Sequence, residues 1–219
     1  MTRSPGVTAI VLAGGRSSRF GSPKLAAQLG GTTLLERAIR AAGSVADEII
    51  VAGAPAPGFA AEDRAPIPIR SVADEEQFAG PLAGLAGALR SAKPGLAIVV
   101  GGDMPGLVPA VLGAMLERLA TDAGADAVLL ANPGADPGPD QVPEPAPRQV
   151  LPIALDVAVA SDAAQAAVEA GDRSLVRLLG HLRAVEIPAA EWLVLDPAGR
   201  TLLDVDRPVD LERIRRELR

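Results

Sequence analysis

The sequence predicts an α/β fold, a mostly parallel central sheet with helices on both faces. Two patterns support this. Short, continuously apolar, β-branched runs recur along the chain, as strands covered on both faces require. Segments of helical length and capping chemistry alternate with them, the signature of an open sheet with right-handed crossovers. The chain has 219 residues, 48% of them hydrophobic and 22% charged, an ordinary globular composition long enough to bury one substantial core.

The first strand is Val7 to Ala13, followed by a polar, glycine-rich segment from Gly14 to Gly31. Thr33 and Glu36 form a capping box that opens a helix over Leu34 to Ala42, with Gly43 as its stop. Strands follow at Glu48 to Ala52 and Ile67 to Val72, then a helix at Leu82 to Ala92. Leu96 to Val100 is the strongest central strand, followed by a helix at Val108 to Ala120 and a strand at Ala127 to Ala131. Residues 132–148 are rich in proline and glycine without hydrophobic periodicity, which predicts either a linker or a long mobile loop over a site. Beyond them lie a strand at Val150 to Leu155, helices across Ser161 to Leu182, and short strands at Val185 to Ile187 and Leu202 to Val205. A helix from Pro208 to Leu218, proline at its start and arginines at its end, closes the chain. The last third holds too few strands for a sheet of its own, so one domain over residues 1–219 is expected, with 132–148 as its loop.

Composition excludes several functions. A net charge of −6 argues against a broad nucleic-acid-binding surface. Without cysteine there are no disulfides, thiolate metal sites or cysteine nucleophile. No apolar run approaches the roughly 20 residues of a membrane span. The apolar N-terminal run is short and leads into Gly14-Gly15-Arg16 without a cleavage site, so a buried strand and a soluble cytoplasmic protein are expected. Lys24 and Lys93 are the only lysines among 21 basic residues.

The sharpest motif is Leu12-Ala-Gly-Gly-Arg-Ser-Ser-Arg-Phe-Gly-Ser-Pro-Lys24, at the carboxyl end of the first strand, where open α/β sheets bind ligands. Gly14 and Gly15 let backbone N–H groups approach an anion, and Arg16, Arg19 and Lys24 add positive charge. Gly21 is followed by Ser-Pro, so this is no Walker A loop, and it is no G-x-G-x-x-G either.

Asp103, at the end of the central strand, points a carboxylate into the same crevice and suits Mg²⁺; its alternative role is to cap the turn that follows. Asp204 and Asp206 lie two apart on an expected strand, so both face one way; the alternative for Asp206 is an N-cap of the last helix. Gly80-Pro-Leu-Ala-Gly84 opens a helix that can approach a ligand or simply pack on the sheet. Asp74 is placed to bond a ribose hydroxyl or a base, His181 to sit outside any catalytic triad, and Trp192 to fill core.

Together these segments resemble the molybdenum cofactor guanylyltransferase family of MobA-like nucleotidyltransferases. Residues 12–24 look like its L-x-G-G-x-x-x-R-[MF]-G-x-x-K signature, Gly80 to Gly84 its G-P-L-A-G element, Gly102 to Pro105 its metal motif, and Asp204 to Pro208 its closing segment. The resemblance implies a Rossmann-like single domain that transfers GMP from GTP to a molybdopterin cofactor, releasing pyrophosphate with Mg²⁺. It implies nucleotide contacts at Leu12, Ala13, Gly14, Gly15, Arg16, Lys24, Asp74, Gly80 and Asp103, and catalytic roles for Arg19, Lys24 and Asp103. Asp103 would hold the metal with Asp206, or Asp204, as the second acidic contact. Residues 132–148 would form the acceptor-side loop, and cofactor-insertion proteins would be transient partners. Two departures bear on the base. Ala52-Gly53 stands where the family carries an asparagine, and aspartates replace two asparagines in the closing segment, as in cytidylyl-transferring relatives. CTP, another small phospho-acceptor, and a non-catalytic nucleotide-binding role therefore stay open.

Overall fold

The computed structural model describes residues 6–14, 24–53, 67–73, 80–133 and 149–217. Among these, strands β1 (Gly6–Leu12), β4 (Glu48–Ala52), β5 (Ile69–Val72), β6 (Gly95–Gly101), β7 (Ala127–Leu130), β8 (Ile153–Asp156) and β9 (Ala184–Ile187) form one sheet in the order β5-β4-β1-β6-β8-β7-β9. All neighbours pair in parallel except β8, which runs against both β6 and β7. The last two strands thus join the sheet begun by the first half of the chain, β8 between β6 and β7 and β9 at the edge.

Side chains alternate across the sheet because successive residues of a strand face opposite ways. Ala9, Val11, Ile98 and Val100 face a layer of α1 (Leu34–Gly43) and α3 (Pro109–Thr121), joined by Trp192 of α6 (Ala189–Trp192). Ile10, Ala97 and Val99 face α2 (Pro81–Ser91), α4 (Val157–Glu169) and α5 (Leu175–Leu179). Trp192 is buried as expected and its indole N–H donates to the Ala131 carbonyl at 2.9 Å. His181 is exposed. No helix among the described residues is long and apolar enough to cross a membrane.

The capping box of α1 is present in both halves, Glu36 N–H to Thr33 Oγ1 at 3.2 Å and Thr33 N–H to Glu36 Oε2 at 2.8 Å. Gly43, however, is the last helical residue and not a left-handed stop. A Cβ there would lie 2.8 Å from Ile49 Cδ1, so its missing side chain serves packing of α1 against β4. The stretch 14–31 is not all loop: a short 3-10 turn at Lys24–Ala26 leads into a hairpin of β2 (Gln28–Leu29) and β3 (Thr32–Thr33). Gly30 and Gly31 have φ of 63° and 79°, the positive pair a tight two-residue hairpin turn demands.

Four further expectations shift. The third strand starts at Ile69, the strand after the proline-rich stretch at Ile153, and α4 begins at Val157, where the Asp156 carboxylate caps Ala158 and Val159 N–H. Leu202 to Val205 is not a strand. Leu202 ends a 3-10 turn (Arg200–Leu202) held by Thr201 N–H to the buried Asp196 carboxylate at 2.7 Å; Leu203 is extended, and residues 203–206 belong to no ladder. Helix α7 (Pro208–Glu217) ends the described chain. Of the expected loop at 132–148, only residues 132 and 133 are among those described.

Candidate active site

The carboxyl ends of β4, β1 and β6 lie side by side, with Leu12 in register with both Ala52 and Gly101. Their backbones are locked together just beyond the ladder: Ala13 N–H donates to Ala52 O at 2.7 Å, and Gly102 N–H to Leu12 O at 2.9 Å. Two glycines make this close approach feasible. A Cβ on Gly53, whose φ is 99°, would lie 2.5 Å from the Gly14 nitrogen. One on Gly102 would crowd Leu12 O, Leu25 and Leu35.

Above this edge Lys24 meets two carboxylates. Its Nζ lies 2.7 Å from Asp103 Oδ2 and 2.9 Å from Asp206 Oδ1, with the lysine side chain only 14% exposed. Burial works against the Lys24 ammonium, but hydrogen bonds and attraction to Asp103 and then Asp206 outweigh it, raising its pKa above the ordinary value. Desolvation pushes the nearby Asp204 carboxyl upward, and the charges on Asp206 and Asp103 push it further.

A small third core sets this meeting. Leu29 of the hairpin and Leu34 of α1 pack with Val205 and with Leu211 and Ile214 of α7, fixing the segment that carries Lys24 against the segment that carries Asp206. Arg215 adds a bond to the Gln28 carbonyl at 2.8 Å. Val205 N–H donates to the Asp103 carbonyl at 3.0 Å, which ties the closing segment to the end of β6. Asp206 does not cap α7 with its side chain. Asp210, in the first turn, accepts from Asp206 N–H at 3.1 Å and Arg207 N–H at 2.8 Å, leaving the Asp206 carboxylate aimed at Lys24. Asp103 likewise caps no helix: α3 starts six residues on, without a side-chain cap.

Leu12, Ala13, Gly14, Lys24, Asp103 and Asp206 are therefore gathered at one edge. Gly80 is the N-cap of α2 with φ of 97°, where a Cβ would strike the Arg173 carbonyl at 2.9 Å, so packing on the α4–α5 connection already accounts for that glycine. Gly15, Arg16, Arg19 and Asp74 lie outside the described residues. Sequence reasoning marked Gly53 only as a departure at the base and missed its close approach to Gly14, and it missed the parts played by Val205 and Asp210; a carboxylate in the first turn after Asp204-Val-Asp206 is the signal that could have found Asp210.

The acidic pair fits a magnesium ion. Mg²⁺ is commonly held by one or two carboxylates, with substrate phosphates and water completing its octahedron. Asp103 and Asp206 already converge on a single cation, the Lys24 ammonium. No group of three or more His, Cys, Asp or Glu suited to a metal occurs among the described residues, so other ligands would be left to nucleotide and water.

A cation and two carboxylates thus stand at the carboxyl edge of a mainly parallel sheet, the edge at which open α/β folds bind ligands. Residues 9–185 match the model of the MobA-like NTP transferase domain. A protein of Chloroflexus aggregans named probable molybdenum cofactor guanylyltransferase is 31% identical over 211 residues, 95% of this chain and 93% of that one. Among solved structures, molybdopterin-guanine dinucleotide biosynthesis protein A from Archaeoglobus fulgidus superposes with TM-score 0.72 at 23% identity, covering 96% of this chain and 98% of the other. The 4-diphosphocytidyl-2C-methyl-D-erythritol synthase of Anaerococcus prevotii shares the fold at TM-score 0.71 and 15% identity, covering 98% of each chain. The chain belongs to the MobA-like NTP transferase family and is a nucleotidyltransferase.

Proposed function

We propose that this enzyme transfers GMP from GTP to the terminal phosphate of a molybdopterin cofactor and releases pyrophosphate, as one domain with residues 132–148 as its acceptor-side loop. The name of the Chloroflexus aggregans relative supports the substrates. The observation that carries the reading is the convergence of Asp103 and Asp206 on Lys24 at the sheet edge.

The acceptor phosphate oxygen is an anion near neutral pH, so the chain need not supply a general base. That oxygen forms a bond to the α-phosphorus in line as the bond to pyrophosphate breaks. Leu12 and Ala13 would place the nucleotide at the strand end, and Gly14 and Gly15, which have no side chain, would let backbone N–H groups approach it. Lys24, Arg16 and Arg19 would neutralise phosphate charge as it develops on the leaving group. Asp74 would hold the nucleoside and Gly80 the helix start beside it. When held by Asp103 and Asp206, Mg²⁺ would supply further positive charge to the phosphates.

A second reading, transfer of CMP from CTP, draws on Asp204 and Asp206, which stand where asparagines are often found in guanylyl-transferring relatives, and on position 53, which offers no side chain to read guanine. Gly53 cannot carry a base-reading side chain without displacing Gly14. A panel of GTP and CTP against molybdopterin and other small phosphorylated acceptors, scored by pyrophosphate, separates the two. Release with GTP and molybdopterin supports the first reading, and release with CTP alone moves the assignment to the second. Nucleotide binding with no pyrophosphate from any pair would make the chain a binding protein.

A further inference from the structure

We infer that Lys24 holds the metal's place in the nucleotide-free enzyme, so that divalent cation and nucleotide bind together and neither binds well alone. The inference rests on the nucleotidyl-transfer reading and concerns the order in which that site fills. The ammonium takes Asp103 Oδ2 at 2.7 Å and Asp206 Oδ1 at 2.9 Å, the oxygens a divalent ion at this site would need. A divalent ion added beside the ammonium would meet like charge within a few ångströms, in a place only partly open to water.

The backbones that carry the two carboxylates are fixed. Asp103 is anchored through its carbonyl to Val205, and Asp206 through its N–H to Asp210. The backbone under Lys24 is also set, since its carbonyl accepts from Ala27 N–H at 3.0 Å and the hairpin behind it packs on α7. What can move are the side chains, and the longest of them is the four-carbon lysine stem, which carries a compact ammonium. A polyphosphate gives that ammonium a new anion to pair with. Its departure uncovers two carboxylates beside a bound polyanion, a charge arrangement that requires a divalent cation. Each ligand thus improves the site for the other, and the coupling is reciprocal.

Two measurements test this. The first is Mn²⁺ binding, followed by loss of the signal of the aqueous ion in electron paramagnetic resonance, without nucleotide, on the wild type, Lys24→Met and Lys24→Gln. If the lysine blocks the site most of the time, wild type should bind Mn²⁺ roughly tenfold or more weakly than either variant. The second needs no variant: Lys24 and Lys93 are the only lysines, so side-chain NH₃⁺ resonances of ¹⁵N-labelled protein report each one. The Lys24 signal should stay in place with Mg²⁺ alone and shift when Mg²⁺ and a non-hydrolysable GTP analogue are added together. Equal Mn²⁺ affinity in wild type and variants, or a Lys24 signal displaced by Mg²⁺ alone, overturns the inference while pyrophosphate release by the wild type still stands. If nucleotide neither shifts Lys24 nor yields pyrophosphate, the transfer reading falls and the inference with it.

Discussion

The backbone N–H of Val205 donates to the carbonyl of Asp103 at 3.0 Å, joining residues about a hundred positions apart in the chain. Val205 is fully buried in the small core under α7, so the bond places Asp206, one residue on, over the end of β6. The meeting of Asp103 and Asp206 at Lys24 is in this sense a packing result. A sheet edge supplies Asp103, and a remote helix delivers its partner.

If Lys24 and Asp103 act on the phosphates, removing either costs turnover and not fold. Lys24→Ala and Asp103→Ala should each lower the transfer rate by about 10²–10³, the scale on which a preorganised charge-stabilising group acts. Circular dichroism of both variants should match the wild type. Near-normal turnover in either would remove that residue from the mechanism.

Asp210 holds two backbone N–H groups at the entry to α7. Asp210→Ala should lower stability by about 1 kcal/mol, the ordinary cost of losing such a cap. It should also raise KM for the metal–nucleotide complex, because Asp206 loses its anchor. Denaturant unfolding and steady-state kinetics on the same preparation read the two effects separately.

Gly53 and Gly171 both have left-handed φ, 99° and 85°, yet differ in surroundings. An added Cβ at Gly171 meets nothing within 4 Å, so Gly171→Ala should cost only the conformational penalty of about 1–2 kcal/mol and leave nucleotide affinity intact. At Gly53 the same atom lies 2.5 Å from the Gly14 nitrogen, and Gly53→Ala must push the glycine loop away. Its nucleotide affinity should fall well beyond that of Gly171→Ala, as calorimetric titration would show.

Asp126 is held by Arg183 through two guanidinium bonds, 2.8 and 3.0 Å, and a backbone N–H at 2.9 Å. These bonds hold its carboxyl at about 2, below the ordinary 3.8. The folded state therefore binds fewer protons than the unfolded chain, and the contribution is complete above the unfolded value. It is lost as the pH falls from about 3.8 towards about 2. Asp126→Asn should flatten the dependence of unfolding free energy on pH in that window.

Local chemistry was the legible part of this fold. Glu48 to Ala52 is the strand its apolar run announces, and the Thr33–Glu36 box caps α1 as read. Misreadings arose where a distant contact decides. Gly43 reads as a helix stop, but Ile49 explains its missing side chain. Leu202 to Val205 has strand-like residues, yet Val205 spends its N–H on the Asp103 carbonyl and no ladder forms. The reversed course of β8 between β6 and β7 is a matter of long-range pairing that no local pattern encodes. At the site, Lys24, Asp103 and Asp206 were each visible as chemistry-bearing residues, but the pairing of Lys24 with Asp206 spans 182 positions and rests on the packing of α7.

The measurement that tests nucleotidyl transfer most directly follows label from GTP into product. The enzyme is supplied with molybdopterin, Mg²⁺ and GTP labelled at either the α- or the γ-phosphate. The account predicts label in the dinucleotide product only from the α-position, with pyrophosphate formed in equal amount and carrying the γ-label. Product labelled from the γ-position, or α-label left in unreacted GTP with molybdopterin present, would contradict it.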